Sequence, residues 1–184
     1  MNPFYIIVHH TGGTDANPLQ DSSNYSLAQC DSDHKIRFGM KSSLGYYVGY
    51  HYFIDKNGLV TQTRVDTEEG AHAVGYNNHS GDPATKRAIG ICLAGNFDAT
   101  MPTTAQVEAL KSLLANKTAK YGIPPERGVP HRTYAHKTCY GRKLSDTWAG
   151  DLIRSSQKPF LMQCVMGDTG VKVVALQNAL AQLK

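Results

Sequence analysis

At 184 residues, with 41% apolar and 18% charged side chains, the chain has the length and composition of one well-buried globular domain with room for a small appendage. These values exclude a disordered or fibrous chain, and no apolar run approaches the roughly 20 residues that a membrane-spanning helix requires. A formal net charge of +4, scattered along the sequence, gives no support to nucleic-acid binding.

The amino terminus, Met1-Asn2-Pro3-Phe4, has no basic segment followed by an apolar core, so synthesis in the cytoplasm without a secretory signal is expected. Four cysteines, Cys30, Cys92, Cys139 and Cys164, share no tight spacing. In a chain without a signal, one ligating or reactive thiol is expected in preference to disulfides.

The run Phe4 to Val8 is continuously apolar and rich in β-branched residues, which predicts a strand covered on both faces. It ends in His9-His10-Thr11-Gly12-Gly13, where paired glycines turn the chain. Side chains alternate along a strand, so only one of His9 and His10 can face a site at its tip. The polar stretch that follows predicts a short helix over Tyr25 to Ile36. Tyr46 to Ile54 and Leu59 to Thr63 flank Asp55-Lys56-Asn57-Gly58, an Asn-Gly turn that predicts a hairpin. His51, inside that aromatic strand, reads as a hydrogen-bonded core residue, and His34 and His79 as exposed loop residues.

Glu68 to Pro83 is a polar loop of a length that often carries binding groups, and Ala88 to Gly95 reads as another buried strand. Thr103-Thr104-Ala105-Gln106 has the form of a capping box. Val107, Leu110, Leu114 and Tyr121 then repeat at helical spacing before Gly122 and Pro124 close the helix. Ser145-Asp146-Thr147-Trp148 starts a second short helix reaching about Arg154, with Trp148 as core anchor. Ser155 to Pro159 reads as a linker. Beyond it, Val173, Leu176, Leu180 and Leu183 define one amphipathic helix, too small for a core of its own. The organisation expected is a main domain over 1–154 and an appendage over 155–184.

The stretch from Val129 to Gly141 concentrates chemistry, with His131, His136, Lys137 and Cys139 in a loop without apolar periodicity. Imidazole and thiolate are ligands that zinc prefers, and a catalytic zinc takes three protein groups and keeps a fourth position for water. Two ligands can come from this loop, and His9 or His10 can supply the third.

Ile7-Val8-His9-His10-Thr11, Gly49-Tyr50-His51-Tyr52-Phe53-Ile54, Asn57-Gly58, Ala71-His72-Ala73, Ile89-Gly90-Ile91 and His131 through Cys139 occur in an order that resembles the zinc-dependent N-acetylmuramoyl-L-alanine amidases, the group that includes phage endolysins and peptidoglycan recognition proteins. The resemblance covers about residues 4 to 154. It implies an α/β fold with a central mixed β-sheet flanked by helices, and one Zn2+ held by His9, His131 and Cys139. It also implies catalytic roles for Tyr50 and Lys137, a substrate-groove role for His72, and peptidoglycan as substrate.

The implied reaction is hydrolysis of the bond between N-acetylmuramic acid and L-alanine by a phage-type endolysin that reaches the cell wall after release. The alternative is a protein that recognises peptidoglycan without cutting it. Tyr140 stands where many relatives have proline. The segment from Gly167 to Gln177 is similar to the opening of a small helical peptidoglycan-binding module, of which only the first helix is present.

Overall fold

The computed structural model of the chain describes residues 2–73 and 87–157. The expected helix over Val173 to Leu183, His79 and Cys164 lie outside the described residues. In chain order the elements are β1 (Tyr5–His10), α1 (Leu27–Arg37), β2 (Tyr52–Ile54), β3 (Val60–Gln62), β4 (Ala88–Leu93), α2 (Thr104–Tyr121), β5 (Gly128–Pro130) and α3 (Trp148–Gln157). The strands form one sheet in the order β3-β2-β4-β1-β5. Only the β2–β3 hairpin is antiparallel, so the sheet is mixed.

Register divides the sheet into two faces. Ile6 and Val8 of β1, Ile89, Ile91 and Leu93 of β4 and Ile54 of β2 share one face and pack against Leu110 and Leu114 of α2 and Ala149 and Ile153 of α3. The other face carries Ile7, His9, Gly90, Cys92 and Phe53, the last two packed with Cys30 of α1 and with Val48. Every residue of β4 is buried, as a strand covered on both sides must be.

The helix ends form as their sequences dictate. Thr103 Oγ1 accepts from the Gln106 amide at 3.1 Å while the Gln106 side chain accepts from Thr103 N, and Gly122 closes α2 with φ +63°. Ser26 and Gln29 repeat the arrangement on α1. Gln106 Nε2 also donates to Ala94 O at 2.7 Å, which ties the start of α2 to the end of β4.

Four features depart from the sequence reading. Tyr46 to Tyr50 is not strand, because its backbone bonds to α1 side chains. Asp31 Oδ1 accepts from Tyr47 N and Val48 N, and His34 Nδ1 accepts from Gly49 N at 2.8 Å. His34 is therefore a buried anchor of this segment and not an exposed loop residue. Helix α3 runs through Ser155 and Ser156, whose hydroxyls bond back to Leu152 O and Ile153 O, so no linker begins at Ser155. Strand β5, absent from the sequence reading, is three residues ending in proline.

Among the described residues, no helix is long and apolar enough to cross a membrane. One buried ionic cluster fastens α2 to the sheet. Asp66 accepts from Tyr52 Oη at 2.6 Å, Lys117 Nζ at 2.9 Å and Tyr121 Oη at 2.8 Å. Burial alone would raise the Asp66 pKa, but the Tyr52, Lys117 and Tyr121 hydrogen bonds outweigh it and hold the carboxyl down to about 2. Its stabilisation is thus present above the ordinary carboxylate range near about 4 and is lost as pH falls toward 2. Asp66→Ala, which leaves the Lys117 ammonium buried without its partner, is expected to lower stability by about 3 kcal/mol at pH 7. In denaturant titrations the deficit should shrink between about pH 4 and pH 2.

Candidate metal centre

Strands β1 and β5 run parallel and end at the same edge of the sheet. The last β1–β5 pair is Val8 with Pro130, and one step further the chains present His9 and His131, whose ring centroids lie 4.4 Å apart. Odd-numbered β1 residues face α1, so His9 points to this centre. His10 points to the opposite face, where its Nδ1 accepts from Phe97 N at 2.9 Å.

A short 3-10 turn, His131–Thr133, then leads the chain away, and the loop returns Cys139 to the same spot. Its Sγ lies 3.8 Å from His9 Nδ1 and accepts from His10 N at 3.4 Å. Ligand atoms of His9, His131 and Cys139 all fall within 4.8 Å of one another.

The returning loop is held by fixed charges. Arg132 donates through Nη1 to Thr138 O and Gly141 O and through Nη2 to Leu144 O, and its amide donates to Cys139 O at 2.6 Å. Asp98 accepts from Thr138 Oγ1 at 2.5 Å and from Arg142 N at 2.7 Å. Tyr140 is fully buried, with its ring edge-on to Trp148 and its hydroxyl donating to Ser145 O at 2.8 Å, so a core contact anchors the loop beside Cys139.

Electrostatics at the cluster follow from its burial. Burial, with His131 nearby, pushes the His9 pKa well below that of free imidazole, and burial with the Lys137 ammonium brings His131 to about 4. Burial also pushes the Cys139 thiol up to about 12, against the opposing pull of the His10 amide and Lys137. Both imidazoles are therefore neutral, the form that binds metal, while the thiol must lose its proton to do so. Two nitrogens and one sulfur fit a zinc ion: bonds of about 2.0 and 2.3 Å in a tetrahedron set N···S near about 3.5 Å, close to the separation found here.

The cluster forms the floor of a cleft of about 960 Å³. Its far wall is built from the 11–25 loop and from Gln29, Asp33 and Arg37 of α1, and its near wall from His136, Lys137 and Thr138. Tyr50 also lines it, with its ring 4.9 Å from that of His9, and burial raises the Tyr50 pKa well above that of free phenol. Lys137 is exposed on the rim.

The family model for N-acetylmuramoyl-L-alanine amidases matches residues 1–146. The chain belongs to that family. The endolysin of Escherichia phage T7 is 35% identical over 117 residues, 60% of this chain and 70% of the phage protein. A solved N-acetylmuramoyl-L-alanine amidase from Clostridium intestinale superposes with a TM-score of 0.58 at 27% identity, covering 78% of this chain and 80% of that one. Drosophila peptidoglycan recognition protein SD shares the fold, with a TM-score of 0.57 at 22% identity over 78% of each chain.

Within the amidase, the residues singled out in the sequence do not all meet at the cleft. His9, His131, Cys139, Tyr50 and Lys137 do. His72 is instead 6% exposed and lies beneath His9, off the cleft wall, with its Nδ1 3.0 Å from His9 Nε2. The groove role implied by the resemblance thus meets a buried ring. His51 is fully buried, taking Gly90 N on Nδ1 and giving Nε2–H to Glu68 O. His136 is exposed at the cleft.

Sequence reasoning passed over Asn96 and Asp98, which set both walls of the cleft. Asn96 Nδ2 donates to Pro18 O and Gln20 O, both at 2.9 Å, while Asp98 holds Thr138 and Arg142. Their signal was Gly95-Asn96-Phe97-Asp98 directly after a buried strand, where side chains of this kind bond to nearby backbone. Asp98→Ala is expected to cost roughly 2 kcal/mol of stability and to weaken any metal binding at the cluster about tenfold by loosening the Cys139 loop. Thermal melts and competition with a chromophoric chelator measure the two effects.

Proposed function

We propose that this amidase cleaves the amide bond between N-acetylmuramic acid and L-alanine in peptidoglycan, with zinc held by His9, His131 and Cys139, and that it acts on the cell wall after release, as an endolysin does. The observation that carries this reading is the gathering of two neutral imidazoles and a thiol on the floor of an open cleft.

Hydrolysis of an unstrained amide requires an activated water, stabilisation of the developing oxyanion and a proton for the leaving nitrogen. Zinc, when bound, supplies Lewis acidity and lowers the pKa of water to about 7. His9 and His131 as neutral donors and Cys139 as thiolate leave the centre with a net positive charge. Lys137, exposed at the rim, donates to the oxyanion, a role whose removal costs about 10²–10³ in kcat where it has been measured in other enzymes. Tyr50 orients the attacking water through its phenolic hydroxyl. The shape of the cleft holds the substrate so that the lactyl carbonyl meets these groups, and this positioning lowers the barrier by itself.

Purified protein is expected to carry one zinc per chain by elemental analysis, and chelation should abolish release of stem peptides from purified murein. Mass spectrometry should find intact glycan strands with free lactyl carboxylates. Cut strands with intact lactyl amides would overturn the reading. Cys139→Ser should lose both zinc and lysis, whereas retention of murein binding without products by the wild-type protein would favour recognition over cleavage. Lys137→Ala should keep its zinc and lose about 10²-fold in kcat with KM nearly unchanged, measured on soluble muropeptides.

A further inference from the structure

The placement of His72 is built into the sheet. Its ring occupies a slot between two glycines: a β-carbon at Gly90 would lie 2.5 Å from the ring, and one at Gly70 2.6 Å from it. Glycine in the middle of a buried strand weakens the strand, and here the missing side chain is the space the imidazole fills. The edge of the His51 ring abuts it, with centroids 5.6 Å apart. Among the described residues, the ring is not part of the cleft lining.

Its hydrogen bonds have only one consistent assignment. Nε2 of His72 lies 3.2 Å from Ala88 O, and a carbonyl oxygen can only accept, so Nε2 carries the proton. The buried ring is neutral, and Nδ1 is then the acceptor. It stands 3.0 Å from His9 Nε2, so His9 must carry its own proton on Nε2 and present an unprotonated Nδ1. That Nδ1 is the atom 3.8 Å from Cys139 Sγ. The opposite assignment would set two lone pairs against each other at His72 and Ala88.

We infer that His72 is a positioning residue of the metal centre: by accepting from His9 while donating to the β4 carbonyl of Ala88, it holds the His9 tautomer whose Nδ1 lone pair faces Cys139. The inference rests on the zinc reading for its consequence, though not for its geometry. Outer partners of this kind fix ring orientation and ligand basicity, and their loss typically weakens metal binding by about 10–100-fold. A backbone carbonyl of the most buried strand thereby sets the donor atom of a ligand two residues-in-series away, through two rings.

Two measurements test it. Long-range proton–nitrogen correlation spectra of the metal-free wild-type protein should show His9 and His72 both protonated on Nε2; a proton on Nδ1 of either ring overturns the inference, whatever zinc does. In chelator competition, His72→Phe should bind zinc about 10–100-fold more weakly than wild type. His72→Asn, whose Oδ1 can stand in for the Nδ1 acceptor, should recover part of that loss. Gly90→Ala, which closes the slot, should behave like His72→Phe. Equal zinc affinity in all four proteins overturns the positioning role, and a wild-type protein that takes up no zinc overturns the metal reading itself while the tautomer spectra still stand.

Discussion

The parallel pairing of β1 with its two neighbours is the constraint on which the rest depends. Because β1 lies between β4 and β5 and all three run the same way, their carboxyl ends open at one edge of the sheet, where ligand sites of open α/β sheets form. The register of a single strand then decides the chemistry. A slip of one residue would turn His9 toward α2 and α3 and bring His10 to the cleft, exchanging every contact on both faces. The six consecutive β1–β4 pairs, which include those of fully buried Ile6, Ile7 and Val8, make such a slip prohibitive.

Pairing alone delivers two histidines. The thiol and the walls of the cleft are delivered by the turn that follows β4. Gly95 O accepts from Gly12 N and Thr11 Oγ1, the Asn96 side chain holds Pro18 and Gln20, Phe97 N reaches His10, and Asp98 holds Thr138 and Arg142. Four consecutive residues thus connect the end of β1, the far wall and the loop bearing Lys137 and Cys139. The cleft has irregular walls, but each wall is fastened to a strand end, and sites on such supports keep the sub-ångström placement that catalysis needs.

Much of this was legible in the sequence, and what was not has a common cause. Strand β1, helix α2 with its two caps and the wealth of imidazole and thiol groups between Val129 and Gly141 are set by local pattern: an apolar run, a capping box, a loop dense in ligands; the choice of His9 over His10 came from the resemblance. The places of His34 and His72 are set by partners far along the chain. His34 looks like an exposed polar residue until Gly49, fifteen positions on, brings it a backbone amide. For His72 the resemblance implies a groove role, and no local pattern announces the slot that Gly90 opens for its ring beneath His9. Strand β5 is three residues long and exists only because β1 offers it an edge, so no periodicity within it could announce it. Tyr46 to Tyr50 erred the other way, since aromatic residues suited to a strand are bound by Asp31 and His34 instead.

The two faces of the sheet also divide the work of the protein. One face meets α2 and α3 through an almost wholly aliphatic and aromatic cluster, the kind of packing that supplies most folding free energy. The layer between the other face and α1 holds His9, His51 and His72, with His34 of α1 itself, two smaller apolar clusters and a glycine in mid-strand. Buried imidazoles are tolerable only when each polar atom is answered, and among the described residues no buried side-chain nitrogen or oxygen lacks a partner. That face contributes less to stability than an aliphatic one of equal area would, since its hydrogen bonds largely replace those lost to water. What it gains is orientation. A ring fixed by hydrogen bonds at both nitrogens cannot flip or change tautomer without leaving a buried group unpaired, so the polar face limits His9 to one presentation while the apolar face keeps the sheet folded around it.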